Sequence, residues 1–503
     1  RMQRRTFLQA ATAAGLGAGL ASRRAFGSSD LPELVLPSSA RAFNILECFL
    51  YGGLSTWETF YGVEEYGRPD NANPQLQNTQ FYAFNNGSNT ALQTALQRCG
   101  DAALTLTPFA TDANGMKVKL GPMLRPLLAR KDITDRMRVV VTRHDLEPHE
   151  AAIPLALCGR TLGSPSMASL GAHASRHFLE KGDAGRRSPY AYAFATSFIP
   201  SDNVLATVAT GTLPGSSRPL MIKVDGAAQL TALLERNGVG TVDQRKQHDA
   251  LLETYINQHR QRLRWQGKGD PLRSPKLAEM AQAVRAVRDV DGVQSVLKPE
   301  LFLPFASKAC TDEATNLPGM SLRLAAHLLT HPTEPARHCC VVDGGLLPAD
   351  GGGGYDTHGE NSYTQSRNLS NLFGSLLPLI NEPGENDPSK IDLNKTMIVL
   401  NMEFGRSPQA QGGEGRNHWP YGYTTVYLGG PITEAQRGLH GAIGPDGYAT
   451  TYVTPAEHRM AALMALGIWP FFQDSFGVSD VQNVAGELEG AQSVAARVLG
   501  YSS

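Results

Sequence analysis

Nowhere in the 503 residues do two cysteines stand in a Cys-x-x-Cys pair. That absence excludes the zinc-ribbon, thioredoxin-like and c-type haem patterns. Six cysteines (Cys48, Cys99, Cys158, Cys310, Cys339, Cys340) are too few for a disulfide scaffold at this length. One or two bridges remain compatible with an oxidising compartment. Charge of one sign is lacking as well: 46 Lys and Arg against 47 Asp and Glu leave a formal net charge of −1. No bulk electrostatic attraction therefore draws nucleic acid or an anionic membrane to the chain. No apolar run approaches the ~20 residues of a membrane-spanning helix. The chain has no G-x-S-x-G elbow, P-loop, dinucleotide-binding glycine pattern or His-Glu-x-x-His. It also lacks a repeat of solenoid length.

What is present begins with an export-type start. Arg4-Arg5-Thr6-Phe7-Leu8 precedes a weakly apolar, uncharged stretch from Ala10 to Ala21, and small residues Ala25 and Gly27 follow. A basic region, a short apolar region and a small-residue exit form a secretory signal, and paired arginines before Phe-Leu match the twin-arginine type. Residues 1–27 are therefore expected to direct the chain to the periplasm or beyond. The alternative is a basic start to a buried helix.

Hydrophobic residues make up 41% and charged residues 18%, as in globular domains. Short, nearly continuous apolar runs recur at Ile45–Leu50, Met137–Thr142, His338–Val342, Thr396–Leu400 and Tyr423–Leu428. Such runs suit parallel strands buried on both faces. Helical signals lie between them. Thr454-Pro455-Ala456-Glu457 is a capping box with Pro at N1. Glu147-Pro148-His149-Glu150 opens a helix toward Cys158, with Gly159 as its stop. The stretch 222–300 repeats Leu, Tyr and Ile at helical spacing among many charges and reads as a helical insertion or cap.

In open α/β sheets the ligand site lies off the carboxyl ends of the strands, so polar residues just past apolar runs come first. Gly351-Gly352-Gly353-Gly354-Tyr355-Asp356-Thr357-His358 places a carboxylate and an imidazole beyond a glycine-rich loop. That pairing suits a divalent metal or, equally, a solvated loop. Asn401-Met402-Glu403-Phe404-Gly405-Arg406 follows a strand; Glu403 and Arg406 suit a metal and an oxyanion, or a buried structural pair. Asn417 and His418 precede Trp419. His144-Asp145 and His149-Glu150 flank a helix start, where free N–H groups favour an anion. Ser55, in Gly52-Gly53-Leu54-Ser55, is a ligand contact or a turn cap. His440 is a weaker candidate.

Taken in order, the twin-arginine start, Phe49 to Ser55, Tyr-Asp-Thr-His, Met-Glu-Phe-Gly-Arg and Asn-His resemble the exported bacterial family catalogued as domain of unknown function 1501. The resemblance runs through Val478-Ser479-Asp480-Val481-Gln482. That family in turn resembles the alkaline phosphatase and sulfatase superfamily. It implies an α/β, alkaline phosphatase-like three-layer fold with a mostly parallel central sheet, helices on both faces and a helical insertion. The expected parts are 41–220, the insertion 221–300, and 301–503. It implies a divalent metal (zinc, manganese or calcium) held by Asp356, His358, Glu403 and His418. His149 and Arg406 would act in catalysis, and Ser55, Glu150 and Asn417 would touch substrate.

The pattern departs from that superfamily in several places. Asp-x-His replaces Asp-x-x-x-His, Glu403-Phe404 replaces Asp-His, and Tyr51-Gly52-Gly53 stands where a first-strand Asp is expected. Pro148-His149-Glu150 occupies the place of a Ser, Thr or Cys nucleophile. Two functions stay open: hydrolysis of an anionic phosphate or sulfate ester, or a non-catalytic envelope role with an exported protein partner. Neither involves nucleic acid or a transmembrane segment.

Overall fold

The computed structural model describes residues 31–66, 90–98, 104–164, 167–181, 192–196, 220–223, 242–266, 297–303, 306–308, 310, 315–333, 335–346, 353–411, 415–471 and 475–501. The expected signal, 1–27, and most of the expected insertion lie outside these residues.

The strands that position the site are β1 (Asn44–Leu50), β2 (Met137–Thr142), β3 (Tyr192–Thr196), β4 (Leu220–Lys223), β5 (His338–Asp343), β6 (Thr396–Asn401), β7 (Gly405–Arg406), β8 (His418–Trp419), β9 (Tyr423–Gly429) and β10 (Gly438–His440). The helices are α1 (His149–Cys158), α2 (Leu170–Lys181), α3 (Val242–Trp265), α4 (Leu317–Leu329), α5 (Asn361–Leu376) and α6 (Pro455–Ala465). Eight strands form one sheet in the order β10-β2-β9-β6-β1-β5-β3-β4. Every pairing is parallel except those of β9, which runs antiparallel to both β2 and β6. β4 carries the sheet past residue 220, where the insertion was expected to begin. α3, 24 residues long, lies within the range 221–300.

Alternation along each strand sends residues to opposite faces. Leu46, Cys48, Leu50, Cys339, Val341, Ile398 and Leu400 pack with α4 and α5 in one core. Ile45, Val140, Met397, Val399 and Tyr427 pack with α2 and α6 in a second. Phe49, Cys340 and Val342 meet α1. Both faces are covered, which is why these strands read as continuous apolar runs. Burial pushes the free thiols of Cys48, Cys158, Cys339 and Cys340 well above their usual pKa, so all four are inert packing groups. Cys310 is disulfide-bonded.

Several local expectations have visible causes. Thr454 Oγ1 accepts from Glu457 N–H and Glu457 returns to Thr454 N–H, completing the capping box of α6. α1 ends at Gly159, left-handed at φ 67°. No helix among the described residues is long and apolar enough to cross a membrane.

Candidate functional site

The carboxyl ends of β1, β2, β5 and β6 open onto one side of the sheet, and the loops beyond them meet there. β1 continues into Gly52-Gly53, β2 into the segment ending at His149, β5 into the loop carrying Asp356 and His358, and β6 into Glu403. β7 and β8 pair antiparallel with Arg406 opposite His418, which folds His418 back over the cluster.

The close approach of β1 and the Asp356 loop depends on Gly52. A Cβ there would lie 2.0 Å from the Asp356 backbone nitrogen, and its φ of +97° disfavours other residues. Gln365 of α5 clamps the same junction. Its Nε2 donates to the carbonyls of Gly53 and Tyr355, both at 3.1 Å, and its Oε1 accepts from Ser55 N–H at 2.7 Å.

Three imidazoles surround the Asp356 carboxylate. His358 Nε2 lies 3.1 Å and His418 Nε2 3.3 Å from Oδ1, and His149 Nε2 lies 3.4 Å from Oδ2. His358 Nε2 and His418 Nε2 are 3.1 Å apart. Ligands about 2.0–2.1 Å from a tetrahedral zinc ion are about 3.3 Å from one another, so these separations fit the edges of such a coordination shell. His149, Asp356 and His418 offer ligand atoms all within 4.8 Å of one another. The donor set is mixed oxygen and imidazole nitrogen, which suits zinc and manganese better than an all-oxygen calcium site.

The outer hydrogen bonds aim these rings. His149 Nδ1–H donates to Glu403 Oε1 at 2.9 Å, and that oxygen also accepts from Gly52 N–H at 2.7 Å. His418 Nδ1 lies 2.9 Å from the Glu147 carbonyl. His144 accepts from Leu146 N–H at Nδ1, so its Nε2–H donates to the Glu403 carbonyl at 2.6 Å; burial lowers its pKa and keeps it neutral. Tyr51 stacks on His149 with centroids 5.0 Å apart, and Phe404 stacks on His418 at 4.3 Å. Within this cluster the buried His149 Nε2 and Glu403 Oε2 make no hydrogen bond.

Electrostatics sharpen the picture. Burial opposes ionisation of Asp356. The adjacent His149 and His418 imidazoles and the Arg406 charge outweigh it and hold the carboxyl far below the usual range. Burial likewise lowers His149, but Asp356 and Glu403 together raise it to about 9. Burial, with the Arg406 and His418 charges, outweighs Asp356 at His358 and lowers its pKa, leaving that ring neutral and its lone pair available.

A family model described as protein of unknown function (DUF1501) matches residues 44–468. The chain belongs to this family. Comparison with curated proteins finds no match.

Within this DUF1501 chain, the nine residues singled out from the sequence fall into three groups. His149, Asp356, His358 and His418 converge, as described. Glu403 is fully buried and bonds His149 rather than pointing at the common centre of the Nε2 atoms. Arg406 is fully buried too, with each guanidinium nitrogen engaged. It bonds Asp356 Oδ1 and the Gly52 carbonyl through one amine, Gly53 O through Nε (3.4 Å) and Arg416 O through the other amine (3.1 Å). It braces the loops and presents no open fork to an anion.

Ser55, Glu150 and Asn417 do not join the cluster. Ser55 is buried and bonds Glu58, which pairs with Arg416. Glu150 and Asn417 are exposed; Asn417 meets Ser407 through its backbone. His440 lies on β10 at the sheet edge. Tyr51, Phe404, Gln365 and the Glu147 carbonyl belong to the site although their side-chain types carry no motif. Tyr51 and Phe404 stand just past strand ends, the one signal that pointed to them, whereas Gln365 inside α5 carried none.

Proposed function

We propose that the protein is an exported, metal-dependent hydrolase of phosphate or sulfate esters with an alkaline phosphatase-like ancestry. The observation that carries this reading is the convergence of the His149, His358 and His418 Nε2 atoms on Asp356 at ligand-edge distances. The site sits off the carboxyl ends of mostly parallel strands, where such folds bind ligands. The twin-arginine start and the disulfide at Cys310 support an oxidising destination outside the cytoplasm.

His149, Asp356 and His418 would hold the cation, with half-exposed His358 as a fourth ligand or the side from which substrate enters. A zinc-type ion there supplies Lewis acidity and a nucleophile at neutral pH. Glu403 is the positioning carboxylate for His149, the outer-shell arrangement that fixes a histidine's tautomer and raises its basicity. His149 thus takes a ligand's role rather than a nucleophile's. With no cation the imidazole, flanked by Glu403 at Nδ1 and Asp356 at Nε2, keeps a proton on Nε2, so metal and proton compete for that atom. The first turn of α1, which begins at His149, favours an ester anion through its free N–H groups and dipole.

One observation favours the second reading, a non-catalytic envelope protein of the same fold. Arg406 already pairs with Asp356, so the carboxylate has a charge partner without any metal. The deciding experiment is metal analysis of purified wild type beside Asp356→Ala/His418→Ala. Near-stoichiometric zinc or manganese in wild type, absent in the variant, supports the hydrolase and leads to a screen of phosphate and sulfate esters. No metal in either, even after metal addition, removes it and leaves the search for an exported protein partner.

A further inference from the structure

Past His418 the chain runs on through Trp419, Pro420 and Tyr421, and the loop carrying Tyr448 folds against it. Tyr421 and Tyr448 stack with centroids 5.0 Å apart at 28°. Trp419 meets both edge-on, at 5.2 and 5.0 Å. Hydrogen bonds hold the group in place: Trp419 Nε1–H donates to Gly447 O at 2.7 Å, and the Tyr421 hydroxyl donates to Glu147 Oε1 at 2.7 Å. Glu147 ties this rim to the cluster, because its carbonyl is the partner of His418 Nδ1. Tyr448 remains 38% exposed.

Three large aromatic side chains stand partly in solvent and fixed beside a polar site, Trp419 packing also against the core below it. Aromatic side chains have few rotatable bonds, so ordering them for a ligand loses little entropy. Their faces are electron-rich and their hydroxyls polar. A pyranose ring matches both properties. Its C–H face is weakly positive and apolar, and its edge hydroxyls need acceptors and donors such as the Glu147 carboxylate and the tyrosine hydroxyls.

We infer that the Trp419–Tyr421–Tyr448 rim holds a neutral sugar ring, so that the ester processed next to it is carried by a carbohydrate. The ester half of this inference rests on the hydrolase reading; the sugar half rests on the rim alone. A nucleic-acid strand fits less well. The cation of the patch, Arg143, lies 5.9 and 5.4 Å over the Tyr448 and Tyr452 rings and donates to Ala449 O at 3.2 Å. The Glu147 carboxylate repels a phosphate backbone.

The test is native electrophoresis of the full chain through gels containing dextran, xyloglucan or galactomannan, with single-stranded DNA as a control. Wild type is expected to be retarded by at least one polysaccharide. Tyr421→Ala and Tyr448→Ala should weaken that retention about ten-fold, a change of about 1.4 kcal/mol. Tyr421→Phe should keep most of it, and unchanged melting temperatures show that the variants are folded. EDTA-treated wild type should be retarded as wild type is.

Retardation by no polysaccharide, or retardation untouched by both alanine variants, overturns the inference. So does binding of single-stranded DNA that the same variants abolish. A protein that takes up no zinc or manganese even after metal addition, yet is retarded through Tyr421, sinks the hydrolase reading and leaves the rim standing.

Discussion

Two carboxylates in this molecule keep the same kind of company with opposite results. Glu47, in the middle of β1, is met by Arg459 at 2.7 Å, Asn401 at 2.8 Å and His338 at 3.1 Å, all of them buried. Asp356, off the strand ends, is met by Arg406 and three histidines, of which His149, His418 and His358 keep side-chain exposures of 16%, 20% and 36%. Around Glu47 a guanidinium, an amide and a single imidazole meet the carboxylate, so no imidazole nitrogens face one another. Around Asp356 the imidazole Nε2 atoms face one another, an arrangement that imidazoles alone satisfy poorly and a cation satisfies well. A buried Arg–carboxylate–His set is therefore no signature of a site. The direction of the histidine nitrogens distinguishes the two.

The comparison can be broken most forcefully at Glu47. Glu47→Ala strands the Arg459 charge inside the sheet and is expected to destabilise by about 3–5 kcal/mol in urea denaturation, while metal content per folded molecule stays at the wild-type level. A small loss would mean that the two clusters are not so different.

Gly52→Ala should come next, at about 2–4 kcal/mol, from the positive φ and the contact with Asp356. Unlike the Glu47 change, it should also abolish metal binding, read by elemental analysis.

Glu403→Gln weakens the acceptor that aims His149, and is expected to lower zinc affinity about 10–100-fold in a competitive chelator titration. Unchanged affinity would remove Glu403 from its positioning role.

Acid should act through Glu47. Burial raises its pKa, but Arg459 and His338 outweigh burial and lower it to about 2, against an ordinary 4.5. A depressed carboxyl stabilises the fold fully above its unfolded pKa and loses that contribution as pH falls toward the folded value. Denaturation curves between about pH 6 and pH 3 should show the loss beginning near 4.5 in wild type and missing in a folded Glu47→Gln variant.

The smallest effect belongs to His358→Ala. Its exposure predicts a stability change within about 0.5 kcal/mol, together with weaker metal binding.

Much of the sheet was legible. Ile45–Leu50, Met137–Thr142, His338–Val342, Thr396–Leu400 and Tyr423–Leu428 each became a strand, because burial on both faces forces a continuous apolar run. The capping box at Thr454 and the stop at Gly159 were legible because caps are local hydrogen bonds. β3 and β4 were not read. Tyr192–Thr196 and Leu220–Lys223 are short, and no distinctive apolar run marks them. The antiparallel sense of β9 was hidden too, since a strand buried on both faces has the same composition in either direction.

The site divides in the same way. The sequence by itself determined which strand ends carry carboxylates and imidazoles, because a ligand residue must stand just past an apolar run and its type is plain. It could not separate Asp356, which gathers three histidines, from Glu403, which aims one of them. Nor could it show that Arg406 braces Gly52 and Gly53 while Ser55 turns inward to Glu58. Residues 149 and 356 meet because parallel strands far apart in the chain share an edge, 418 joins them through the antiparallel pairing of β7 and β8, and which atom faces which is decided by contacts that no local pattern encodes.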